Sequence, residues 1–232
     1  MKEIFDNYIE NAFGDYNQAE FKFKQFEYNY KRFFPLNSLA KVLDIGIGRG
    51  EMLTCMKYWG YTEYLGVDIS PSTVDFCKSL GLNCVLVGDT IKWLSDKDSE
   101  FDTITLLDVL EHFQKEDVIM LLKSLNKSLK LGGKLIIQVP NLQAPDSQLH
   151  RYNDFTHNIG FVEHSLAQVI IAAGILNYKF YGFEEIISDT FKSNIMKFFR
   201  LLYWKYCRFT RRINTNLNPV ILNPVFFVVA TK

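Results

Sequence analysis

At 232 residues and 27.0 kDa the chain has room for one generous domain with an appendage, not for two full independent cores. With 48% hydrophobic and 22% charged residues it is neither a disordered chain, a collagen-like sequence nor a disulfide miniprotein. Its 26 Lys plus Arg balance 26 Asp plus Glu at a pI ≈ 6.9, so overall charge predicts no duplex nucleic-acid partner.

Cys55, Cys77, Cys84 and Cys207 form no Cys-x-x-Cys or zinc-ribbon spacing, and the N-terminus carries no long apolar signal segment. Apolar runs such as 169–176 and 225–230 fall short of the ~20 residues a spanning helix needs. A cytoplasmic protein with reduced thiols is the expectation. Oligomeric state is not legible in the sequence.

In chain order, residues 1–35 are polar but rich in Phe and Tyr, and Phe23, Phe26, Tyr30, Phe33 and Phe34 repeat at helical spacing. Residues 1–37 are therefore read as an N-terminal helical lid or cap, and 38–232 as the main domain. Strands are predicted near 41–45, 64–68, 83–87, 101–107 and 133–139, with helices near 50–59, 71–80 and 115–130 between them. This alternation predicts a parallel sheet with helices on both faces, because right-handed crossovers place successive helices there. Gly132-Gly133 is expected to end the 115–130 helix. After Pro140 come a polar loop over 141–160, a helix at 163–173, and strand-like segments near 176–187 and 225–231.

The run Val42-Leu-Asp44-Ile-Gly46-Ile-Gly48-Arg-Gly50 reads as strand, tight glycine turn, then helix. Glycines there let backbone N–H groups approach a ligand closely, which marks a nucleotide-type cofactor site. A dinucleotide fingerprint wants glycines at its first, third and sixth positions, whereas here they fall at 46, 48 and 50 with acidic Asp44 before the turn. A carboxylate in that position suits a cationic group better than a pyrophosphate. The next two strands end in Gly66-Val-Asp68 and Val87-Gly88-Asp89, and an acid at the first of these ends can bond ribose hydroxyls.

With these motifs the chain resembles the class I S-adenosylmethionine-dependent methyltransferases over roughly residues 38–175. The resemblance implies a Rossmann-like α/β fold with a seven-stranded, mostly parallel sheet in the order 3-2-1-4-5-7-6. It also implies S-adenosylmethionine as cofactor, with the methionine portion at Asp44, Gly46, Gly48 and Gly50. Asp68 would take the ribose, Asp89 and Thr90 the adenine, Ile69 would also touch the cofactor, and Leu107 would lie in the fourth-strand motif facing the sulfonium.

The fourth strand reads Thr105-Leu-Leu-Asp-Val-Leu rather than the Asn or Asp-Pro-Pro-aromatic tetrapeptide of base N-methyltransferases of this fold, which disfavours an exocyclic amine acceptor. Transfer to oxygen needs help with a proton, from a general base or a cation. Asp108, Glu111 and His112 follow that strand, and His157 lies in the loop after the fifth. They are the catalytic candidates, and as two carboxylates and two imidazoles they could also hold Mg²⁺, Mn²⁺ or Fe²⁺. That set resembles the metal-binding residues of certain RNA-terminal 2′-O-methyltransferases, with Asp108 replacing their Glu; without a metal, His157 or His112 is the best base.

The segment 141–161 looks like methyltransferases of bacterial surface-polysaccharide biosynthesis. It offers Asn141, Arg151, Tyr152 and Asp154 to a hydroxyl-rich small-molecule or glycan substrate. The expected activity is O-methylation of a sugar hydroxyl, on a nucleotide-activated sugar or a capsule or lipopolysaccharide glycan. Its rivals are a small-molecule or quinone-precursor O-methyltransferase, an RNA 2′-O-methyltransferase, and a regulatory cofactor-binding module.

Finally, 192–212 carries seven Lys/Arg and no Asp/Glu. On a helical wheel Lys197, Arg200, Lys205, Arg208, Arg211 and Arg212 share a face opposite most of the aromatics. Such an insertion, at about 190–215, either packs its aromatics on the domain or makes peripheral contact with an anionic membrane.

Overall fold

The computed structural model describes residues 19–145, 147–185, 191–215 and 220–232. Its sheet is built on β1 (Val42–Ile45), four consecutive buried residues, as a strand covered on both faces must be. Parallel to it lie β2 (Tyr64–Asp68) on one side and β4 (Phe101–Leu107) on the other, with β3 (Cys84–Leu86) outside β2 and β5 (Leu129–Pro140) outside β4. The antiparallel β7 (Val225–Thr231) pairs with β5, and β6 (Asn177–Gly182) closes the far edge. The resulting order, β3-β2-β1-β4-β5-β7-β6, is the expected one.

Alternation along β1 divides the core in two. Val42 packs with Ile136 and Phe227 under α1 (Ala19–Tyr30), α2 (Glu51–Tyr58) and α3 (Pro71–Ser79), through Tyr30, Met56 and Val74. Leu43 and Ile45 pack on the opposite face with Ile104 and Ile137. That face is covered by α4 (Thr90–Ser95), α5 (Val118–Ser128) and α7 (Glu163–Ala172), through Leu94, Leu121 and Ile170. The N-terminal aromatics belong to this architecture: Tyr30 is fully buried, 5.0 Å from the Phe227 ring, and Phe34 lies 5.1 Å from Trp59. Residues 1–18 of the proposed lid lie outside the described residues.

Local chemistry sets the element ends. Ser70 caps α3 by accepting from the Thr73 N–H, with Pro71 at the first helical position. Asp89 caps α4 through the Lys92 N–H, 2.9 Å away, giving a helix absent from the sequence prediction. A second such helix, α6 (Ser147–Tyr152), lies within the segment expected to be loop. The predicted helix at 115–130 also needs correction, since α5 ends at Ser128 and β5 begins at once. Gly132, at φ 79°, sits in an irregularity of β5 between the pairs Phe101–Leu129 and Thr103–Lys134, so the two glycines make a bulge rather than a helix end.

The last helix, α8 (Phe191–Thr215), spans 25 residues between β6 and β7. Among the described residues no helix is long and apolar enough to cross a membrane.

Candidate active site

The chain leaves β1 toward β2 and β3, then returns to β4 on the other side, so the carboxyl ends of β1 and β4 border a topological switch point, where open α/β sheets bind ligands. A cavity of about 660 Å³ opens there. Of the residues expected to hold a cofactor, Asp44, Gly46, Gly48, Asp68, Ile69, Asp89, Thr90 and Leu107 line it. Gly50 stands outside it. At φ 76° it starts α2, where a Cβ would meet Leu82 Cδ1 at 2.5 Å, so its role is to turn the chain.

Asp44 is 2% exposed and accepts from the Thr105 hydroxyl at 2.6 Å. Burial lifts its carboxyl to about 8 in spite of that bond, with Glu51 and Asp68 adding to the rise. A carboxyl held uncharged at a left-handed glycine loop fits a ligand that brings positive charge. Asp68 braces the loop itself, accepting from the Ile47 N–H at 2.9 Å and the Ser70 N–H at 2.8 Å, and burial raises its pKa also.

Beyond β4, Asp108, Glu111, His112, His150, Asp154 and His157 line the same cavity. The loop carrying Glu111-His112 is stitched to the loop after α6. The Glu111 carbonyl accepts from the Asn158 and Ile159 N–H groups, and the His112 carbonyl from the Asn158 side chain at 2.7 Å. These bonds bring His112 and His157 face to edge, ring centroids 4.8 Å apart.

Hydrogen bonds hold both rings in place. His157 Nδ1 lies 3.0 Å from the His150 carbonyl, which can only accept, so Nδ1 carries the proton and Nε2 keeps its lone pair. The Thr156 hydroxyl donates to Asp154 at 2.6 Å and lies 2.8 Å from His112 Nδ1, and the Asp108 backbone also bonds the His112 ring. Burial, then the neighbouring His157, hold His112 down at about 4. Asp154 is kept low, the Thr156 bonds outweighing its partial burial.

Glu111 is 1% exposed, and neither carboxyl oxygen has a hydrogen-bond partner. Burial, then Asp108 and Asp154, push its pKa well up, so without a cation beside it the group keeps its proton. Its Oε1 lies 3.9 Å from His157 Nε2.

Of the four expected metal candidates, Glu111, His112 and His157 each place a ligand atom within 4.8 Å of the others. Asp108 is not in that set. At φ 54° it turns its carboxylate to accept from Gln138 at 2.7 Å, and the Gln138 carbonyl accepts in turn from the Tyr30 hydroxyl. Asp108 is exposed to the cavity, and partial desolvation there raises its pKa against the Gln138 bond.

Three expected substrate residues stand outside the cavity lining. Asn141 is fully buried and ties its amide to the Ile221 and Asn223 carbonyls. Arg151 donates to the His157 carbonyl at 2.6 Å and the Asn158 carbonyl at 3.1 Å, bracing the loop after α6. Tyr152 is 78% exposed.

Sequence reading missed Lys22, Phe26, Glu51, Gln114, His150 and Asn153 as lining residues. Phe26 carried a signal as part of the aromatic stripe, and Glu51 another as the acid following the glycine turn.

A family model described as a methyltransferase domain matches residues 19–176. Phosphoethanolamine N-methyltransferase 1 of Zea mays is 35% identical over 103 residues, 42% of this chain and 20% of that protein. The ubiquinone biosynthesis O-methyltransferase of Xanthomonas euvesicatoria pv. vesicatoria is 30% identical over 107 residues, 44% of each chain. The matched part thus spans under half the length of both curated relatives. Among solved structures, a SAM-dependent methyltransferase from Archaeoglobus fulgidus superposes with a TM-score of 0.69 at 25% identity, over 94% of this chain and 100% of that one.

Proposed function

The chain belongs to the S-adenosylmethionine-dependent methyltransferases, and from that premise we propose that it methylates a hydroxyl oxygen of a neutral, polyhydroxylated small molecule such as a sugar unit, with His157 as general base. The observation that carries this reading is the His157 ring, held through Nδ1 by the His150 carbonyl with Nε2 turned toward the buried Glu111 carboxyl in the cavity.

Bound in the cofactor half against Asp44, the glycine loop and Asp68, S-adenosylmethionine supplies an electrophilic methyl whose bonding pair to carbon is left on sulfur. The protein's task is to hold the hydroxyl in line and receive its proton. As the oxygen–carbon bond forms, that proton passes to His157 Nε2. The Nδ1–H bond to the His150 carbonyl steadies the resulting imidazolium.

A neutral acceptor fits because Lys22 is the one Lys or Arg among the described lining residues, and Glu51 engages it at 2.8 Å. A pyrophosphate-bearing donor group would have to lie outside the cavity. The same acidic lining favours a second reading, an amine acceptor, to which the similarity with an N-methyltransferase adds weight.

Incubation with isotope-labelled cofactor and a panel of neutral glycosides, nucleotide sugars and small amines separates the two, with mass spectrometry locating the label. Methyl ethers from neutral glycosides support the first reading. Label on nitrogen replaces it with the second. A chelator added to the same assay tests a divalent ion on Glu111, His112 and His157, and unchanged turnover is expected for a base working through His157.

A further inference from the structure

The helix α8 presents its apolar residues to solvent. Ile195, Phe198, Leu202, Tyr206, Phe209 and Ile213 recur at spacings of three and four, forming one stripe along the helix, and they are 39 to 66% exposed. The half-buried positions, Lys197, Arg200, Trp204, Arg208 and Arg211, lie on the opposite side. There Arg208 donates to the Val220 carbonyl at 3.0 Å, and Arg200 stands 3.9 Å from Glu185 and over the Trp204 ring. The usual arrangement of a surface helix, apolar side in and charged side out, is inverted here.

From this inversion we infer that α8 is a docking surface for an anionic lipid bilayer, lying in the headgroup plane with the stripe in the acyl boundary. Three observations select that occupant. The helix holds seven Lys/Arg and no Asp/Glu, although the whole chain has a formal net charge of zero, so positive charge is concentrated on this one element. Lys205 and Arg212, both exposed, border the stripe where phosphate groups would lie. The stripe also mixes Phe and Tyr with aliphatic residues, the composition of helices that lie within the interface rather than span it, and no described helix can span. At 1.5 Å per residue the helix offers a contact about 37 Å long. This inference does not rest on the choice of methyl acceptor.

The test is co-sedimentation of the full chain with vesicles of equal parts phosphatidylglycerol and phosphatidylcholine, and with pure phosphatidylcholine. Pelleting is expected with the anionic vesicles at low salt, weakening at high salt as the charge attraction is screened. A Phe198→Ser/Phe209→Ser variant should bind at least about tenfold more weakly, the two rings being the largest apolar groups removed. A Lys205→Glu/Arg212→Glu variant should lose the preference for anionic over neutral lipid. Both changes are at exposed positions away from the cavity, so unaltered melting and S-adenosylhomocysteine binding will show that the variants fold.

Failure of the parent protein to pellet at low salt would overturn the inference, as would equal binding by the double-serine variant. Sedimentation showing a dimer that the double-serine variant converts to monomer would overturn it too, by identifying a second copy as the occupant.

Discussion

Asp44 and His157 illustrate how burial and hydrogen bonding set the state of single groups in this cavity. An unfolded Asp44 gives up its proton near 3.8, whereas in the fold it holds one to about 8. Between those values the folded chain binds more protons than the unfolded chain, so this group makes the empty protein less stable as pH rises through the window. A ligand bringing positive charge to the glycine loop should expel that proton. Calorimetry at neutral pH in buffers of different ionisation enthalpy should therefore show proton release on cofactor binding, absent in Asp44→Asn; a heat independent of buffer would argue against the assignment. Arg151 is a second case, since it holds His157 and Asn158 by their carbonyls. Arg151→Ala should lower the methyl-transfer rate by about 10- to 100-fold through misplacement of the imidazole, with S-adenosylhomocysteine affinity unchanged. Loss of cofactor affinity instead would contradict that role. The charge of Arg151 was legible in the sequence, but its use was not, because the carbonyls it reaches come together only when the 153–158 turn closes.

At the level of elements, the loop after β4 joins the two halves of the site. Tyr30 of α1 and Gln138 of β5, both buried, form with the exposed Asp108 a hydrogen-bonded chain from the N-terminal helix to the loop after β4. Tyr30→Phe removes its donor and leaves the Gln138 carbonyl unsatisfied, which should cost about 1–3 kcal/mol in chemical denaturation. A loss below a few tenths of a kcal/mol would show that the chain of bonds carries no stability. The strands and the glycine turn could be read from the sequence because their signals are local: β-branched runs, acids at strand ends, positive-φ glycines. The short helices α4 and α6 escaped, being one to two turns long with little periodicity, and the Gly132-Gly133 pair misled because a bulge and a helix end use the same residue type.

Across the whole molecule, a parallel sheet with helices on both faces follows from right-handed crossovers, whereas the full strand order was legible only through the family resemblance. The direction of α8 was not. Its wheel shows two faces equally well whichever one meets the domain, and only the packed chain reveals that the charged face is turned inward. The acceptor likewise depends on groups assembled from β4, α6 and the loop beyond it, of which His157 is the one asked to take the proton. The most direct measurement is the single-turnover rate of methyl transfer by His157→Ala, with chelator present and S-adenosylhomocysteine affinity measured alongside. A fall of about 10² to 10⁴ with unchanged cofactor affinity is expected if His157 is the base. A rate within a fewfold of the parent protein, or a parent rate abolished by the chelator itself, would contradict it.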